Sequence, residues 1–151
     1  MLSSLDRWLA PAPDPARVAW LREHVYAHRG MHGSGQVENS AGAFASALAA
    51  GLGIECDIQR SLDDWPMVFH DWDLDRLTVE RGPVRRRTAH ELAGIRLMGG
   101  DPVWALSMLL DEVATGDHAV RFELDNFNPW STTTRVTGGE RTRVNGSLEQ
   151  R

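Results

Sequence analysis

Three short stretches bring together residue types that can do chemistry: His28-Arg29, Glu55-Cys56-Asp57 and His70-Asp71. Carboxylates at i and i+2 of one strand point to the same face and can converge on a hard divalent cation. The same E-x-D spacing also fits a surface strand that carries solvated acids, and spacing alone leaves both readings open. Imidazoles, with an ordinary pKa of about 6.5, can donate or accept a proton near neutral pH. Every one of the 16 basic residues is arginine. The chain therefore offers planar, permanently charged guanidinium groups and no amine for a Schiff base.

These residues sit at the ends of short apolar runs, VYAHRG, GIECDIQ, PMVFHD and HAVRFELD, each strand-like in length and make-up. Between the first two runs, ENSAGAFASALAAG predicts an Ala-rich helix closed by Gly51. Thr88 and Glu91 form a T-x-x-E capping box that predicts a second helix, and a third is expected over Val103 to Val113. Alternation of this kind implies α/β architecture. Asp57 and His70 are too close in sequence for a parallel crossover, so a hairpin is expected between them. With its turn centred on Asp63 and Asp64, Asp57 would face His70 and Glu55 would face Trp72. Cys56 alternates to the face opposite Glu55 and Asp57 and reads as a small core residue.

Over its 151 residues the chain is 42% hydrophobic and 25% charged, as expected of a soluble globular domain. Its net charge of −5 argues against nucleic acid as a partner. No apolar run approaches the roughly 18 residues of a membrane span. One cysteine and a start without the pattern of a secretory signal make the cytoplasm the expected location. Residues 1–24 read as a helical extension, with one short helix around Leu5 to Leu9 and another from Pro15 to about His24. Residues 126–151 are rich in Thr, Gly, Ser and Asn without apolar period, and a poorly ordered tail is expected there.

In order along the chain, H-R-G at 28–30, E-N-S at 38–40, E-x-D at 55–57 and H-D at 70–71 resemble the glycerophosphodiester phosphodiesterase family. The resemblance extends through A-x-A-x-x-x-G ending at Gly51, L-x-R-L-T from Leu74 to Thr78 and E-L around Glu91, over roughly residues 25 to 125. It implies a (β/α)8 barrel with its site at the C-terminal strand ends. It further implies metal-dependent hydrolysis of a glycerophosphodiester substrate to glycerol 3-phosphate and an alcohol. By the same resemblance His28 and His70 are the general acid and base, and Arg29 contacts the phosphate. Glu55, Asp57 and, from FELD, Glu123 would hold Ca²⁺ or Mg²⁺. Glu38 and Asn39 are expected either at the substrate or merely as cap and dipole partners of the helix they precede.

The chain departs from the family at Asp125, where a lysine is usual, at Val37 in place of a proline, and at Asp63-Asp64 in place of a D-G turn. A complete barrel takes about 250 residues, so about half of one is expected over residues 25–125. A catalytically inactive, truncated or frame-shifted fragment is the alternative to an enzyme. A homo-oligomer that covers the open sheet edge is a further expectation. Arg85, Arg86 and Arg87 read as a solvated face, and His24, His32, His90 and His118 receive no role.

Overall fold

The computed structural model describes residues 14–114 together with strands at 118–124, 133–137 and 140–142. The chain enters through α1 (Pro15–Val18), where the Asp14 side chain accepts from the Ala16 amide at 2.9 Å, and continues as a 3-10 turn, Ala19–Arg22. The helix expected around Leu5 to Leu9 lies outside the described residues.

Strand β1 (Tyr26–His28), helix α2 (Ala41–Ala49) and strand β2 (Gly53–Arg60) form a parallel unit with Ala27 paired to Ile54 and His28 to Glu55. The Ser40 side chain caps α2 by accepting from the Ala43 amide at 3.2 Å, and Gly51 follows the helix at φ +69 as its sequence predicts. Strand β3 (Pro66–Val68) returns antiparallel on β2, while β4 (His118–Leu124) lies parallel on the other side of β2. Strands β5 (Thr133–Thr137) and β6 (Glu140–Thr142) continue antiparallel, so the sheet runs β1-β2-β4-β5-β6 with β3 beside β2. Both of these last strands fall in the stretch expected to be a poorly ordered tail. They are polar segments joined to the sheet by main-chain ladders, which an apolar period cannot reveal; the remainder of that stretch lies outside the described residues.

The hairpin exists, but its register is one residue from the expected one. Ile58 pairs with Val68, and the Phe69 amide donates to the Asp57 carbonyl at 3.0 Å, so Asp57 faces Phe69 rather than His70 and the Glu55–Trp72 pairing fails with it. The cause is an odd turn. Ser61 N donates to Trp65 O at 3.0 Å and Asp64, at φ 64, donates to Ser61 O at 3.2 Å, which centres the loop on Asp63. Because side chains alternate with period two, a shift of one residue exchanges faces.

Both faces of β2 are covered. Ile54, Cys56 and Ile58 pack with Phe44 and Ala47 of α2 and with Leu109 and Val113 of α4 (Leu106–Val113). Burying each of the larger side chains stabilises the fold by about 1.5–3 kcal/mol. Burial pushes the Cys56 thiol up, and the neighbouring Glu55 and Asp57 charges add to the effect. A second core, including Met67, Phe69, Leu74, Leu92 and Val103, lies under the long excursion between β3 and α4. It is organised by α3 (Ala89–Gly94), which opens with the expected Thr88–Glu91 capping box. Helix α4 starts later than expected, since Ala105 is extended and bridges to Met67. Among the described residues no helix is long and apolar enough to cross a membrane.

Candidate active site

The odd-numbered residues of β2 carry the carboxylates. Glu55 is 5% and Asp57 1% exposed, so the reading of E-x-D as solvated surface acids is overturned. An acid buried this deeply needs partners, and the loops at the strand ends supply them.

At the end of β1, His28 places Nε2 4.0 Å from Glu55 Oε2 while its side chain remains 69% exposed. The backbone then turns left-handed at Arg29 (φ 57) and Gly30 (φ +78). A Cβ at Gly30 would meet the Ala43 main chain at 2.8–2.9 Å, so only glycine fits between the turn and α2. The turn aims the Arg29 amide at Glu55 Oε2, at 3.1 Å. It also sends the guanidinium across to Asp57 and Glu38. Arg29 Nη1 donates to Glu38 Oε1 at 2.8 Å, and Nε stands 3.0 Å from Asp57 Oδ2 as an ion pair without hydrogen-bond alignment.

Asn39 is buried and left-handed (φ 54), a conformation asparagine tolerates better than most residues. Its Nδ2 donates to Asp57 Oδ2 at 2.9 Å and its Oδ1 accepts from the Asp57 amide at 3.4 Å. The expected capping role thus belongs to Ser40, and Asn39 grips a carboxylate instead. Glu38 likewise turns to the arginines rather than serving α2.

His70 lies just beyond β3. Its carbonyl accepts from Gln59 Nε2 at 2.7 Å, and its Nδ1 is 2.5 Å from Asp71 Oδ1. Arg76, at the end of the 3-10 turn Leu74–Arg76, joins this pair to the rest. It meets Asp71 Oδ2 through Nε at 2.6 Å and Oδ1 through Nη2 at 2.8 Å, and meets Glu38 Oε1 and Oε2 at 2.7 and 3.0 Å. The result is a continuous row, Asp57–Arg29–Glu38–Arg76–Asp71–His70. The Arg76 hydrogen bond holds the Glu38 carboxyl at about 2 against a partial burial that would raise it, with Arg29 adding to the effect. The same guanidinium, aided by His70, holds Asp71 at about 2, and the two acids push Arg76 itself up.

The sequence alone gives Arg76 no role. The signal was there in L-x-R-L-T, but nothing local connects residue 76 to residue 38, and only the folded loops do so.

Glu38, His70 and Asp71 lie close enough together to share an ion, but the carboxylate oxygens of this trio already accept from Arg29 and Arg76. Glu55 and Asp57 offer a second candidate, an all-oxygen pair, nearly fully buried and on one face, in which Arg29 and Asn39 approach Glu55 Oε2 and Asp57 Oδ2. The β2–β4 register sets Glu123 beside Asp57. Asp125, the expected departure from the family, lies outside the described residues. Of the expected site residues, His28, Arg29, Glu38, Asn39, Glu55 and Asp57 form one connected set, and His70 is joined to it through Arg76.

The model of the glycerophosphoryl diester phosphodiesterase family matches residues 28–134. A glycerophosphodiester phosphodiesterase from Bacillus altitudinis is 42% identical over 69 residues, which is 45% of this chain and 28% of the relative. The crystal structure of a glycerophosphodiester phosphodiesterase from Agrobacterium tumefaciens superposes with a TM-score of 0.60 at 30% identity, covering 67% of this chain and 46% of that one. That of the Thermotoga maritima enzyme gives 0.58 at 32% identity, covering 68% and 43%. The chain spans less than half the length of these relatives, and its sheet is an incomplete (β/α)8 barrel.

Proposed function

Because the chain belongs to the glycerophosphoryl diester phosphodiesterase family, we propose that it hydrolyses glycerophosphodiesters to glycerol 3-phosphate and an alcohol. The observation that carries this reading is the convergence of His28 and Arg29, at the end of β1, with Glu55 and Asp57 of the paired strand β2, and with His70 tied to them by a row of ion pairs. A phosphodiester anion resists attack until its charge is matched. Arg29, held between Asp57 and Glu38, supplies a fixed cation for the phosphate oxygens. His28 and His70 are the two groups able to take a proton from the attacking hydroxyl and return one to the departing alkoxide.

Glu55, Asp57 and Glu123 would hold a divalent cation, Ca²⁺ or Mg²⁺, which adds positive charge where negative charge develops on the phosphoryl oxygens. Asn39 keeps the Asp57 carboxylate aimed for that task. Glu38 holds Arg29 through Nη1, while Nε faces Asp57, and so limits where the guanidinium can move.

The test is release of glycerol 3-phosphate from glycerophosphocholine and glycerophosphoethanolamine, with Ca²⁺ or Mg²⁺ and after chelation. Turnover that falls about 10²–10⁴-fold in His28→Ala and in His70→Ala is expected of lost proton transfer. Absence of turnover by the unaltered chain with either metal would overturn the proposal, and full activity in either variant would overturn that histidine's role.

A further inference from the structure

The single guanidinium of Arg76 contacts all four oxygens of Glu38 and Asp71 at 2.6–3.0 Å. We propose that Arg76 is a positioning residue that sets the tautomer and aim of the His70 imidazole. Pinned at both oxygens, Asp71 cannot rotate about its terminal torsion. Its Oδ1 is therefore a fixed acceptor for His70 Nδ1–H, at 2.5 Å. Nε2 is then the bare nitrogen presented for proton transfer, as in other sites where the partner of one ring nitrogen decides the role of the other.

Two features separate this from a simple surface clip. The His70 main chain is already held by Gln59 at 2.7 Å, so Arg76 is not needed to fix the loop there and acts on the ring. Arg76 also shares Glu38 Oε1 with Arg29, at 2.7 and 2.8 Å. The same guanidinium thus couples the imidazole to the arginine proposed to meet the phosphate. The inference rests on the proposed function only for the meaning of His70; the geometry of the ring can be tested without turnover.

The experiment is ¹⁵N–¹H correlation of the His70 ring in the full chain, at a pH where the imidazole is neutral. The unaltered protein is expected to show one tautomer, with the proton on Nδ1. Arg76→Ala is expected to show averaged nitrogen shifts, and millimolar methylguanidinium to restore the single form, since Arg76 is 48% exposed and its place is open to solute. Asp71→Asn gives an independent arm. There Arg76 is expected to take the amide oxygen and turn the NH₂ toward His70, moving the ring proton to Nε2. The proposal is overturned if the unaltered ring carries its proton on Nε2, or if Arg76→Ala keeps the unaltered tautomer. Should Arg76→Ala fail to fold, Asp71→Asn decides, and an unchanged tautomer there overturns it. A tautomer that responds as expected beside a fully active His70→Ala would sink the catalytic assignment and leave the positioning intact.

Discussion

Asn39 and Asp57 are joined through both ends of the Asn39 amide, Nδ2 donating to Oδ2 at 2.9 Å and Oδ1 accepting from the Asp57 main chain at 3.4 Å. The two residues lie on different elements, one in the turn before α2 and one within β2, and both are 1% exposed. A buried carboxylate is tolerated only when it is hydrogen-bonded or paired. Asn39 supplies one such bond to the carboxylate and ties down the Asp57 main chain with the other, and Arg29 supplies the charge.

Replacing Asn39 tests that dependence. Asn39→Gly keeps the left-handed backbone and removes the amide, and is expected to cost about 1–3 kcal/mol by stranding part of a buried charge. Asn39→Ala loses the amide and must also adopt φ 54, adding about 1 kcal/mol more. Urea denaturation of the two variants checks the order. Equal stability of both with the unaltered chain would show that Asp57 does not need its partner.

Acid should loosen the row of ion pairs in a definite window. Glu38 and Asp71 are held at about 2, below their ordinary 4.5 and 3.8. The unfolded chain therefore binds more protons than the folded one across that range. Their contribution is fully present above about 4.5 and is lost as pH falls toward about 2. With Arg76 half exposed, solvent screening limits each pair to about 0.5–1 kcal/mol. Thermal midpoints measured from pH 6 downward are expected to fall less steeply in Arg76→Ala than in the unaltered protein, and parallel curves would count against the pairing.

Gly30 should tolerate no side chain. An added Cβ meets the Ala43 main chain at 2.8–2.9 Å with φ at +78, so the turn must open or α2 must shift. Gly30→Ala is expected to lose about 2 kcal/mol or more, the sum of left-handed strain and a backbone clash. Because the same turn aims Arg29 at Glu55, cation or phosphate binding should weaken with it. A variant as stable as the unaltered chain would show that the turn adapts freely.

Cation binding should depend on the buried carboxylates. Glu55→Gln and Asp57→Asn each remove a negative oxygen donor while preserving shape, and each is expected to weaken Ca²⁺ or Mg²⁺ affinity at least about tenfold, or 1.4 kcal/mol. Glu38→Gln, whose carboxylate is already engaged by Arg29 and Arg76, should change it much less. Isothermal titration calorimetry separates the two cases, and a larger loss in Glu38→Gln would move the cation site to the arginine row.

Local patterns made much of this legible from sequence. The Ala-rich segment, the Thr88–Glu91 box and the apolar runs each fix a nearby backbone choice, and each element forms close to where those residues place it. The hairpin register was not legible, because Asp63-Asp64 suggests a symmetric two-residue turn while the Ser61 side chain, donating to Asp63 at 2.7 Å and accepting from Trp65 at 2.9 Å, stabilises a longer odd one. Arg76 was hidden for a different reason: its partner Glu38 is 38 residues away. The strands β5 and β6 carry no apolar period, and their pairing is made by main-chain groups that every sequence possesses.

Strand β2 also works as a wall between two media. On one side Ile54, Cys56 and Ile58 dissolve in the hydrocarbon of α2 and α4, and on the other Glu55 and Asp57 stand among arginine, asparagine and main-chain donors. Inserting or deleting one residue ahead of Ile54, with the rest of the strand shifted against its neighbours, would send both acids into oil and three oily side chains into the polar compartment. Chimeras or circular permutants that cut within β2 must therefore preserve its odd–even parity, whereas cuts in the loops on either side of it are under no such constraint.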